Sequence, residues 1–219
     1  MKLEVGESLF YSWLRHVEKC QVVQMNWKPS TGKQPHGTVG WDFYDDGNTL
    51  CKFITEARKF YQRRDINIFE NSDFTQLIRQ AEIDLLGLRF TRGKPKVYAV
   101  DVAFHSHTLG YKDNVKKVME KLLRATVCIS GYFNTSKAKI IFAAPKIPAG
   151  DLEKLGSCVQ EVNERIKNRI GTGFSVGIIA NGEFGKVIDE VQSVSAEVAD
   201  TSELFLRSYQ LLEMRKKMS

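Results

Sequence analysis

Apolar residues recur along the chain at two spacings, and the spacing separates helices from strands. Between residues 5 and 19, Val5, Leu9, Phe10, Trp13, Leu14 and Val17 fall on one stripe at the interval of an amphipathic helix. Residues 113–130 repeat the pattern with Val115, Val118, Met119, Leu122, Thr126 and Ile129, and Gly131 is expected to stop that helix. A third stripe, Leu152, Leu155, Val159, Val162, Ile166 and Ile170, runs through residues 150–170. Strand-type runs occupy residues 21–27, 81–90, 97–105, 137–147 and 174–180. In the fourth of these, consecutive apolar residues from Ile140 to Ala144 predict burial on both faces.

The remaining stretches are read more coarsely. Leu50, Phe53, Ile54, Ala57 and Tyr61 predict a helix over 48–64, DINIF a short strand, and Asn71 and Ser72 the cap of a short helix leading to residue 80. NGEFG reads as a turn; from Lys186 the pattern does not separate strand from helix, and SELFLRSYQLLEMRKKMS closes the chain as a helix with a basic last turn. Strands alternating with helices give an α/β class, with a central mixed sheet flanked by helices. One domain over residues 1–219 is expected, with an insertion at about 28–72 after the first strand.

One pair of strands carries acids in apolar company. AEIDLLGLRF and VYAVDVAFH flank the basic turn TRGKPK, so they predict a hairpin. Alternation puts Glu82 and Asp84 on one face of the first strand, and Asp101, Ala103 and His105 on one face of the second. Asp84 and Asp101 can then meet at the end of the sheet. Buried carboxylates need a partner; a divalent metal would pair both, and nearby Arg89, Arg92 or a lysine is the plainer alternative.

This arrangement resembles the nuclease superfamily named for its PD-(D/E)XK motif, which includes many restriction enzymes and Holliday-junction resolvases. Glu82-Ile83-Asp84 stands at the "xD" position and Asp101-Val102 at "(D/E)x", whereas the motif lysine is replaced by Ala103. The resemblance covers roughly the N-terminal two thirds of the chain. It implies a restriction endonuclease-like core of helix–strand–strand–strand–helix–strand, and metal-dependent hydrolysis of DNA, often by a homodimer. It implies Mg²⁺ or Mn²⁺ held by Asp84, Asp101 and the Val102 backbone carbonyl, with Glu82 or Glu7 completing the set. Glu7 would lean in from the first helix, although a first-turn acid also complements the helix dipole. The missing lysine has two substitutes: His105, acting as base or donor near neutral pH, or Lys112 or Lys116 from the next helix, since such migration occurs in the superfamily. His105 is equally read as a strand-end histidine satisfied by the backbone. The alternative is a module of this fold that has lost catalysis with the lysine and binds nucleic acid or a protein partner.

Composition adds a little. A net charge of +6, with 26% charged and 42% hydrophobic residues, fits a soluble protein with a polyanionic partner. Lys117, Lys121 and Arg124, on the helix face opposite the apolar stripe, and Arg92 and Lys94 in the hairpin turn are the candidate nucleic-acid contacts. Cys20, Cys51, Cys128 and Cys158 show no CxxC spacing and read as buried thiols in a reducing, cytoplasmic setting. His105 and His107 form an HxH without a recognisable third zinc ligand. The N-terminus, with Glu4, Glu7 and Arg15 among its apolar residues, is no signal peptide, and no run approaches the ~20 apolar residues that span a bilayer.

Overall fold

A computed structural model of the chain describes residues 4–29, 33–34, 37–38, 81–92, 95–105, 109–133, 135–198 and 201–218. The expected helix at 48–64, the DINIF strand, the helix before residue 80, Lys94, His107 and Cys51 lie outside the described residues.

The chain begins with helix α1 (Val5–Ser12), which runs into a π-helical turn (Trp13–Val17). Strand β1 (Val22–Trp27) follows, and then a two-residue pair, β2 (Lys33–Gln34) and β3 (Gly37–Thr38). The acid-bearing hairpin is β4 (Ile83–Arg89) and β5 (Lys96–Val102). Helix α2 (Asn114–Phe133), β6 (Ala138–Ala144), α3 (Ala149–Arg169) and β7 (Phe174–Ala180) continue the alternation, and α4 (Gly182–Ser195) and α5 (Leu204–Met218) complete it.

The five-stranded sheet has the order β1-β4-β5-β6-β7. The first two pairings are antiparallel and the last two parallel, so the sheet is mixed. Parallel neighbours need crossover connections, which α2 and α3 supply. Period-two alternation then assigns the faces. Val97, Ala99, Ile140 and Phe142 pack with α2 and α3, whereas Tyr98, Val100, Ile141 and Ala143 pack with α1, α4 and α5. The run from Ile140 to Ala144 is buried throughout, because β6 is covered on both sides.

Several boundaries depart from the sequence reading. Gly131 does not end α2: the helix continues to Phe133, and Tyr132 and Phe133 pack against the Trp27 ring at centroid distances of 5.1 and 5.6 Å. That aromatic cluster outweighs the ~1 kcal/mol helix penalty of glycine. NGEFG opens α4 rather than forming a turn, and the segment from Lys186 is helical. The first helix changes register at Trp13, where Glu18 N–H reaches back to the Trp13 carbonyl over five residues. Gly87 lets this turn close on the sheet, since a Cβ there would stand 3.0 Å from Cys20 Sγ and 3.3 Å from Leu14.

The face carrying α1 is locked from the far end of the chain. Glu203 is buried, 7% exposed, and its carboxylate accepts from Ser12 Oγ at 2.7 Å and pairs with His16 Nε2 at 2.9 Å and Arg15 at 3.2 Å. Among the described residues Cys20, Cys128 and Cys158 are buried free thiols. Among the described residues, too, no helix is long and apolar enough to cross a membrane.

Phe10 is fully buried, edge-on to Trp13 at 5.8 Å and to Phe184 at 5.5 Å. Phe10→Ala is therefore expected to cost about 3–5 kcal/mol. Urea unfolding should show a lower midpoint at unchanged slope; a midpoint within error of the parent would mean that α1 is not part of the cooperative core.

Candidate active site

The hairpin register sets the site. Leu85 stands across from Val100, so the next step of the antiparallel ladder brings Asp84 level with Asp101. Both point to the face covered by α2, at the end of the sheet where the parallel strands terminate. Asp84 Oδ2 accepts the Val102 backbone N–H at 2.7 Å. Asp101 is 8% exposed, and Lys121 Nζ, from α2, lies 3.3 Å from its Oδ1. With Ala81, Glu82, Ile83, Arg124 and Ala125 these residues line a cleft of about 220 Å³.

The electrostatics follow from burial and crowding of like charge. Burial raises Asp101 to about 6, with the Asp84 charge adding to the rise and Lys121 and Arg124 opposing it. Asp84 is also raised by burial, against the Val102 N–H and Lys121. Glu7, on α1, is raised by its own burial and then by the Asp84 charge, and its Oε2 is buried with no hydrogen-bond partner. Burial disfavours the Lys121 ammonium, but Asp101, Tyr111 and Asp84 more than compensate, and its pKa lies above the usual lysine value. Lys121 is thus a cation at neutral pH.

Of the other expected residues, Glu82 lines the cleft, and the rest lie elsewhere. β5 ends at Val102, and His105 is an exposed residue beyond it, its N–H bonded to the Ala103 carbonyl. Ladder alternation therefore does not extend to His105, and the strand gives it no aim toward Asp101. Lys112 and Lys116 line a second cleft, with Asp113, Asn114, Asp151 and Lys154. Lys117 is exposed and pairs with Glu120 at 3.3 Å. Glu82 is half-exposed and pairs with Lys28 at 3.2 Å. Arg92 follows the far end of β4; Asp84 and Arg89 are five residues apart, roughly 17 Å along an extended strand. Lys121 and Arg124, which helical phase predicts to face away from the core, both line the cleft instead, and Lys121 is the one that reaches Asp101. Its neighbours one turn before and after, Val118 and Ala125, are both buried, so position 121 borders the apolar stripe. That flanking pair was the available signal.

The donor chemistry suits a hard divalent cation. Mg²⁺ retains several waters and needs only one or two protein carboxylates, and Asp84 and Asp101 offer two on one face. The partnerless Glu7 oxygen lies in the field of Asp84. Among the described residues no three His, Cys, Asp or Glu side chains form a preassembled ligand set. Comparison with protein-family models, curated proteins and solved structures finds no match to this chain.

Because the folded pKa of Asp101 lies near 6 and its unfolded value near 3.9, its contribution to stability is complete below about pH 4. It is lost as pH rises through about 6. The stability difference between the parent and Asp101→Asn should therefore shift against the parent by ~1–3 kcal/mol between pH 4 and pH 7. Urea midpoints at the two pH values measure it; a difference independent of pH would mean that Asp101 is not desolvated.

Proposed function

We propose that the chain is a metal-dependent endonuclease that hydrolyses DNA phosphodiester bonds, with Lys121 in place of the lysine that Ala103 replaces. The carrying observation is the Lys121 ammonium 3.3 Å from Asp101, on the face that Asp101 shares with Asp84. The succession α1, β1, β4, β5, α2, β6 supports the restriction endonuclease-like reading, because it follows the helix–strand–strand–strand–helix–strand order of that core.

Each residue's part follows from its surroundings. Asp84 and Asp101 would hold Mg²⁺ or Mn²⁺, with Glu7 the nearest further acid. When bound, the metal lowers the pKa of water and polarises the phosphoryl oxygen. The Val102 N–H fixes the Asp84 carboxylate on the strand end. Lys121, held charged by its acidic neighbours, is suited to orienting a water and to neutralising charge that develops on the phosphate, rather than to abstracting a proton. Its Nζ donates to Asp101 Oδ1 at 3.3 Å, which keeps the ammonium beside the two carboxylates.

A second reading, a module that binds nucleic acid without cutting it, is favoured by Ala103 itself. This side chain is 5% exposed and part of the core that packs on α2, so position 103 supplies no polar group to the cleft.

With Mg²⁺ or Mn²⁺, plasmid or branched DNA should be cleaved. Asp84→Asn, Asp101→Asn and Lys121→Met should each lower the rate by at least about 10²-fold, and Lys121→Arg should restore part of it. Cleavage retained in the Asp84→Asn/Asp101→Asn double variant would remove the nuclease proposal. Salt-dependent binding without cleavage in either metal would establish the second reading.

A further inference from the structure

The charged groups that line the cleft differ in how they are satisfied. Glu82 is paired with Lys28, Asp84 with the Val102 N–H, and Asp101 with Lys121. Arg124 is the exception among the described residues. It is half-buried on the cleft wall, and its Nε is buried with no hydrogen-bond partner. It stands three residues after Lys121, on the same side of α2, so both cations face the strand that carries Asp101. Its charge reaches Asp101, yet no ion pair holds the guanidinium there. A buried donor without a partner costs about 1–3 kcal/mol, and a guanidinium presents its donors as a rigid fork matched to carboxylate or phosphate oxygens.

We infer that Arg124 is the phosphate-gripping residue of this cleft: its Nε is closed off in the wall, and its terminal guanidinium nitrogens donate to the non-bridging oxygens of one phosphodiester. The inference rests on the nuclease reading for the identity of the anion as part of a nucleic acid; the grip on a tetrahedral oxyanion does not. The size of the cleft is in keeping. Its volume of about 220 Å³ is below the ~300–1,000 Å³ of pockets that enclose whole small molecules. One phosphate group enters it, and the sugars and bases remain outside. Arg124 then lies on the cationic wall and Asp84 and Asp101 on the acidic wall, with the phosphorus between them. The arrangement selects for a backbone phosphate and gives no reason for preference among bases.

Two readouts in EDTA separate this grip from catalysis. In the first, inorganic phosphate is titrated against the full chain and followed by ³¹P line broadening. In the second, a fluorescein-labelled single-stranded oligonucleotide is titrated and followed by anisotropy. Arg124→Met should weaken both by about 10- to 100-fold, and Arg124→Lys, which keeps the charge and loses the fork, should recover only part of the loss. Circular dichroism at the same temperature confirms that each variant is folded, and Arg124→Lys carries the test if Arg124→Met is not. Phosphate and oligonucleotide affinities equal to the parent in both variants would overturn the inference while leaving cleavage, and with it the nuclease reading, intact. Phosphate binding lost in Arg124→Met by a chain that cuts no DNA would uphold the grip and remove the nuclease reading.

Discussion

Two carboxylates stand side by side on adjacent central strands, and this shared position constrains everything around them. Asp84 and Asp101 are both withdrawn from water, and Asp101 also feels the Asp84 charge, so each is pushed toward its neutral form. The fold holds them by distributing the cost. The Val102 backbone takes one oxygen of Asp84, and the Lys121 ammonium approaches Asp101 from the helix above. Remove the sheet register and the acids no longer meet. Remove α2 and they lose their cation.

The compensation is incomplete. Lys121 and Arg124 face Asp84 and Asp101, with Glu7 close enough for its carboxyl to feel Asp84. A partnerless Glu7 oxygen and a partnerless Arg124 nitrogen are left on the two sides of the arrangement. Acidic and basic groups left unsatisfied near one another, without pairing, are what a ligand with both a cationic and an anionic part would complete. A metal-bound phosphodiester has that character, which is why the nuclease proposal and the phosphate grip draw on one charge pattern.

Much of this was legible in the chain because alternation is a strong constraint on a strand. Reading Asp84 and Asp101 onto facing positions needed only the hairpin and a period of two, and β4 and β5 pair in that register. The α/β class followed from helical stripes between apolar runs. What was not legible depends on where partners stop. His105 was carried along the alternation of β5, but Ile83 is the first residue of β4, so the hairpin has no partner for β5 beyond Val102. Position 121 borders the apolar stripe between buried Val118 and Ala125, and the lysine's four methylenes carry its charge the rest of the way to a buried acid. Gly131 was read as a stop because the aromatic contacts of Tyr132 and Phe133 with Trp27 join segments more than a hundred residues apart.

The Glu203 clasp ties this chemistry to the order in which the polypeptide is made. Ser12, Arg15 and His16 meet their carboxylate only when residue 203 has emerged from the ribosome. Until then α1, with Glu7 on it, has hydroxyl and imidazole groups aimed at a missing acid, and Leu206 is absent from the apolar layer it completes with Leu9 and Phe10. The position of Glu7 beside the acidic edge therefore depends on contacts that span 187 to 191 positions of the chain.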